Sequence, residues 1–162
     1  MSAVIPRGSP VIFLTLIVAL MLTIMPLPTW AEEIRPHWVL MVIIYWSMAL
    51  PHRVNIGVAW IMGLLLDVSY DAVLGQYALA MAIVAYFTVY LHQRLRIFPV
   101  WQQAIVVFIF CLIYDIIVLW IKGITGIAPS IWMVLLPCFT TAVLWTPVFM
   151  ILRKVRRVYG VN

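Results

Sequence analysis

Two carboxylates stand where an apolar chain has least use for them. Asp67 and Asp115 each lie inside a long apolar stretch. A charge at the centre of a membrane-spanning helix costs about 2.5–3.5 kcal/mol on insertion scales, so each needs a partner or a task. The other reactive side chains offer little. His37, His52 and His92 lie at the ends of apolar runs, and none has a second His or a Cys at metal-ligand spacing. Cys111 and Cys138 fall within apolar runs and read as small apolar residues, not as a disulfide framework. No Ser stands beside a base, and no glycine-rich phosphate loop exists. These residues predict no catalytic constellation, no metal and no cofactor.

The elements that hold the two carboxylates follow from composition. The chain has 162 residues, of which 67% are hydrophobic and 9% charged. Soluble domains average about half apolar and about a quarter charged. A water-soluble surface could not be covered by so few polar groups. That excludes a soluble enzyme, a disordered chain and a small disulfide scaffold, and leaves the bilayer as solvent. The net charge of +5 does not point to nucleic acid, because the Lys and Arg residues sit in gaps between apolar runs and form no basic face. The predicted fold is all-α, a single integral membrane domain with six transmembrane helices over about 11–27, 37–50, 56–70, 74–91, 101–120 and 131–152.

The second run is short. Its apolar part, Trp38–Leu50, spans roughly 20 Å as a helix, against roughly 30 Å of hydrocarbon. Charge supports a crossing all the same. With six crossings and a cytoplasmic N-terminus, Arg7, Arg53, Arg94, Arg96, Arg153, Lys154, Arg156 and Arg157 lie inside, and only Arg35 and Lys122 lie outside. Dropping this run alone would invert every later loop. The second run therefore crosses, or forms a non-crossing hairpin with the third that keeps the same parity; a crossing through a thinned bilayer, or buried among the other helices, is favoured, with both termini cytoplasmic. Cleavage of the first span as a signal peptide near Thr29-Trp30-Ala31 is disfavoured by the prolines at 26 and 28. Trp residues near run ends read as headgroup-level anchors.

Asp67 has a sequence context of its own. Ala59, Gly63, Asp67 and Asp71 recur every fourth residue and share one helix face. Ala78, Ala82 and Ala85 make a similar stripe on the next helix. Small residues let backbones approach, so these faces are expected to pack. Asp67 would then accept hydrogen bonds from amides around Leu74-Gly75-Gln76, where glycine permits an unusual turn. For Asp115 a structural link to a neighbouring helix and a functional role both stay open. Pro137 and Pro147 predict a kink, with Thr140, Thr141 and Thr146 serving the freed carbonyls. Arg94, Arg96, Arg153, Lys154, Arg156 and Arg157 form a basic surface for anionic lipid headgroups or a docked protein.

Several stretches in order resemble one family. Arg35-Pro36-His37-Trp38-Val39-Leu40, Leu50-Pro51-His52-Arg53-Val54-Asn55-Ile56-Gly57, the Gly63, Asp67, Leu74, Gly75 pattern, Trp101-Gln102-Gln103-Ala104 and the Tyr114–Trp120 stretch are similar to MreD, the rod shape-determining membrane protein family. So is Arg153-Lys154-Val155-Arg156. The likeness covers about residues 35–157. It implies a place in the bacterial inner membrane, within the elongation machinery for lateral peptidoglycan. The implied partners are MreC, MreB filaments and RodA with a class B penicillin-binding protein. The implied fold is similar to the substrate-binding subunits of energy-coupling-factor vitamin transporters, and no catalytic residue is implied. The expected function is thus a non-enzymatic scaffold that positions MreC and the synthase. The alternative is an outward-facing small-molecule or lipid-binding subunit, which would need a polar-lined cavity in the outward half, toward which Asp67, Asp71 and Asp115 all point. An enzyme acting on lipid-linked precursors would rest on two isolated carboxylates alone.

Overall fold

The structure, a computed structural model, describes residues 8–127 and 129–161. Arg7, counted above with the inner charges, lies outside the described residues. Among those described, every regular element is helical: α1 (Ser9–Ile24), α2 (Thr29–Glu32), α3 (Trp38–Ala49), α4 (Ile56–Ser69), α5 (Gln76–Ile97), α6 (Val100–Ile124) and α7 (Ile131–Val158). Three of them, α5, α6 and α7, are long and apolar enough to cross a membrane. The helices α1, α3 and α4 are also apolar but shorter, at 16, 12 and 14 residues.

The shortest of these is the centre of the molecule. α3 packs against α1, α5, α6 and α7, and every residue from Val39 to Ala49 is buried. A helix that is apolar on all sides belongs in a protein core or in lipid, and here protein surrounds it. Its lower end is finished by protein groups as well. The Arg96 guanidinium donates to the carbonyls of Met48 (2.9 Å) and Ala49, at the last turn of α3. Cations are favoured there because helix carbonyls are left unpaired. Arg96 is exposed and also caps a neighbouring helix. Gln103 does the same for α5, donating to the carbonyls of Leu95 (2.9 Å) and Phe98 (3.2 Å).

α4 starts at an Asn55 cap, whose side chain accepts from the amides of Gly57 and Val58 at 3.0 and 3.4 Å. It then lies along α5 with almost no gap. A Cβ built on Gly63 would stand 2.3 Å from the Cα of Ala78. Only glycine allows that approach. Ala59, Ala78 and Ala85 are fully buried in the same seam. Asp71 is not part of it. α4 ends at Ser69, and Asp71 turns out to solvent with φ of 51°. Leu74, grouped above with the packing residues, is 73% exposed at the crown of the turn.

α7 runs unbroken through Pro137 and Pro147. Thr140 and Thr141 do bond carbonyls, those of Leu136 (2.8 Å) and Pro137 (2.6 Å). These are not the carbonyls that the prolines release, which belong to the residues four before each proline.

Candidate functional site

Asp67 is fully buried in the α4–α5 seam. One carboxylate oxygen accepts from the amide of Gly75 at 2.8 Å, the other from the amide of Tyr77 at 2.7 Å. Gly75 has φ of 97° and opens α5. The left-handed turn points these amides back at α4, and glycine adopts it without strain. The carboxylate thus sits on the positive end of a 22-residue helix. Amides and helix dipole together stabilise it without a cation. Gln76, between the two donors, is buried as well.

Asp115 is held quite differently. Its Oδ2 lies 3.0 Å from Nε2 of His37 and accepts from the Cys138 thiol, also at 3.0 Å. With His37 protonated this is an ion pair. The His37 backbone amide donates to Thr141 Oγ1 at 3.0 Å, and the same hydroxyl donates to the Pro137 carbonyl. The Tyr114 ring meets the His37 ring edge-on, with centroids 5.0 Å apart. Both cysteines are reduced and buried. Sequence spacing had given His37 no partner, yet it links the start of α3 to α6 and α7. The signal that could have found it is the shortness of the second apolar run. A helix that begins inside a bundle must have its first polar groups satisfied there.

The depth of that start creates a cavity. Asp115 lies nine residues before the end of α6 and Thr141 ten after the start of α7. At about 1.5 Å per residue, His37 sits roughly 14 Å inside the ends of its neighbours. The space above it, about 440 Å³, is lined by polar and aromatic groups, among them Arg35, His37, Tyr77, Asp115 and Lys122. Rings of Tyr70, Tyr77 and Tyr114 follow one another at 5.2 and 6.1 Å. The Lys122 ammonium lies 6.0 Å from the Tyr77 ring centre. Arg35 donates to the carbonyls of Thr23 and Met25 at the end of α1, and it approaches Glu32 at 4.0 Å. Its Nε is buried with no protein partner. Of the three aspartates expected in the outward half, Asp115 lines this space and Asp67 and Asp71 do not. Among the described residues no cluster of His, Cys, Asp and Glu has the makings of a metal site.

At the opposite end, Arg153, Arg156 and Arg157 converge around Gly160 and Val161. Arg94 on α5 and Lys154 on α7 are exposed. Arg156 Nε also donates to the Val161 carbonyl at 3.3 Å.

The family model of the rod shape-determining protein MreD matches residues 7–155. The chain belongs to the MreD family. The rod shape-determining protein MreD of Haemophilus influenzae is 29% identical over 141 residues, covering 87% of each chain. No solved structure matches the chain. The match spans both carboxylate sites and the cavity, and at the basic end it reaches Arg153 but stops short of Arg156 and Arg157. Family and apolar helices together mark this as a membrane protein concerned with rod shape.

Proposed function

We propose that the protein is a non-enzymatic membrane scaffold of the cell-elongation complex, which positions MreC and the peptidoglycan synthase for lateral wall growth. The observation that carries this reading is the state of the two intramembrane carboxylates. Both oxygens of Asp67 are taken by backbone amides, and Oδ2 of Asp115 is taken by His37 and Cys138. Each carboxylate thus joins helices to one another. What the molecule offers instead is lateral surface, helix against helix, where shape decides binding. Six crossings with both termini on the cytoplasmic side, in the inner membrane, belong to the same proposal, with MreB at the basic end. So does the fold likeness to vitamin-transporter subunits. The positive-inside distribution supports the orientation.

Photocrosslinkers placed singly along α4 and α5 in living cells test the scaffold. Adducts with MreC or the synthase at one contiguous stripe are the expected result. Adducts with lipid alone at every position would sink it. Reporter tags on both chain ends test the orientation, and tags in opposite compartments would refute it.

A second reading has its own support. The cavity above α3 is lined by charges of both signs and by three tyrosines, and the buried Arg35 Nε beside it has no protein partner. A small polar ligand bound there would make this an outward-facing binding subunit. A tightly held small molecule in the native mass spectrum, released by Lys122→Ala, favours that reading. A spectrum of bare protein from native membranes counts against it.

A further inference from the structure

α1 leans on α3, while α7 packs on α6 and α3, and a groove is left between α1 and α7. Its volume is about 520 Å³. One wall is the α1 stripe Pro10, Leu14, Val18 and Leu22; the other carries Val148, Ile151 and Val155 of α7. The polar groups of its floor are already paired. Trp46 Nε1 donates to Thr15 Oγ1 at 2.9 Å, and that hydroxyl donates to the Ile12 carbonyl. Nothing in the groove asks for a polar ligand.

Its foot is another matter. Tyr159 closes the groove at the end of α7, and the last two turns of that helix carry the cup of Arg153, Arg156 and Arg157. The chain folds back there. The Val161 amide donates to the Arg156 carbonyl at 3.1 Å, and the Val161 side chain fills the space a Cβ would need at Gly8. This contact ties the foot of α7 to the start of α1. The apolar groove and the cationic cup therefore meet where Val161 of the cup touches Gly8, two residues from Pro10 of the groove, with Tyr159 at the level where amphipathic rings meet headgroups.

We propose that groove and cup form one site for an anionic phospholipid, with an acyl chain between α1 and α7 and the phosphate among the three arginines. The proposal rests on reading the basic end as headgroup-facing. Length agrees. From Pro10 to Leu22 the groove runs about 18 Å along α1, against about 15 Å for one leaflet of hydrocarbon. A second helix fits poorly. It would be about 10–12 Å across, and it would need small residues on the walls where Leu14, Leu22 and Ile151 stand. Arginine forks match phosphate oxygens in pairs, which a zwitterionic headgroup partly cancels.

The test uses the full chain in detergent, equilibrated with equal amounts of phosphatidylglycerol and phosphatidylcholine of the same acyl chains and read by native mass spectrometry. The wild type retains one phosphatidylglycerol in preference. The exposed pair Arg153→Gln and Arg157→Gln, made together, lowers that preference by about tenfold or more. Val18→Trp, which fills the groove, lowers retention of both lipids. Equal retention of the two lipids by the wild type overturns the proposal, as does a preference that survives loss of both arginines. A phosphatidylglycerol with a photoactivatable chain, added to the wild type, reads the groove without any variant. Labelling of α1 and α7 is expected. Labelling elsewhere only, or a polypeptide found in the groove in its place, overturns it. If chain-end tags invert the orientation while lipid retention persists, the headgroup leaflet is wrong and the site stands.

Discussion

Asp67 and Asp115 pose one physical problem and receive opposite solutions. Both are carboxylates within apolar helices. Asp67 finds its partners eight and ten residues ahead, in the turn that its own helix leads into. Asp115 finds His37 seventy-eight residues back and Cys138 twenty-three ahead, on two other helices. The first solution uses backbone amides, whose direction the turn dictates. The second uses side chains brought together only by the completed bundle. The first seals a helix seam, and the second sits at the floor of a cavity. A local lock suits a joint that must not open. A tertiary pair beside open space leaves room for a ligand or for rearrangement.

The most drastic way to break this comparison is to remove the close approach on which the local lock depends. Gly63→Val puts its Cβ into the backbone of Ala78, and backbone cannot turn aside. Overpacking in a dense core costs about 1–3 kcal/mol where side chains can adjust, so the larger clash here should reach about 3 kcal/mol or more. Loss of folded protein in an SDS unfolding titration would register it. A near-native midpoint would mean that the seam is looser than described.

Next comes the lock itself. Asp67→Ala strands two buried amides and removes two charge-assisted hydrogen bonds, each worth about 1.5–3 kcal/mol. A loss of about 3 kcal/mol is expected, with no turnover of any kind affected. Asp67→Asn should cost about half as much. Each carboxylate oxygen faces its own N–H, and an amide can present an oxygen to only one of them. The titration midpoints should therefore rank wild type, Asn, Ala. Equal midpoints for Asn and wild type would show that the second amide is satisfied elsewhere.

The difference between the two sites also explains what could be read in advance. The four-residue spacing of Ala59, Gly63 and Asp67 is visible in the chain, and so is the glycine at 75 that turns the amides. Every component of that lock lies within twenty residues, where spacing dictates geometry. His37 and Asp115 carry no such mark. Their meeting depends on how far α3 sits below the ends of α6 and α7, which is a property of the assembled bundle. The short second run hinted at burial, and burial is what permits its length. It did not reveal the cavity that a short central helix must leave. Arg96 failed to declare itself for the same reason. A basic residue near a run end reads as membrane-facing charge unless one knows which carbonyls lie beside it.

The tertiary pair is probed by a double-mutant cycle. His37→Ala and Asp115→Ala each leave the other partner without its bond. Each should cost about 1–3 kcal/mol by the same titration. The double variant should cost less than the sum, with a coupling of about 1 kcal/mol. Additive losses would mean that the two groups act independently despite their 3.0 Å separation. Alanine at 115 also frees the Cys138 thiol, a weak donor, so its removal adds little.

The smallest effect is the one that separates the two sites most cleanly. Asp115→Asn should cost less than about 1 kcal/mol, where the same change at Asp67 costs more. Both bonds at Asp115 fall on a single oxygen, Oδ2. An asparagine can keep its carbonyl oxygen there and turn its NH2 the other way. His37 then donates as a neutral ring, and an ion pair becomes an ordinary hydrogen bond. The geometry survives because only one side of the carboxylate is in use. At Asp67 both sides are used, and no orientation of the amide serves both. Matched Asn variants at the two positions, compared in one titration, thus distinguish a lock made by backbone direction from a pair made by side chains. Equal losses at both positions would erase the distinction.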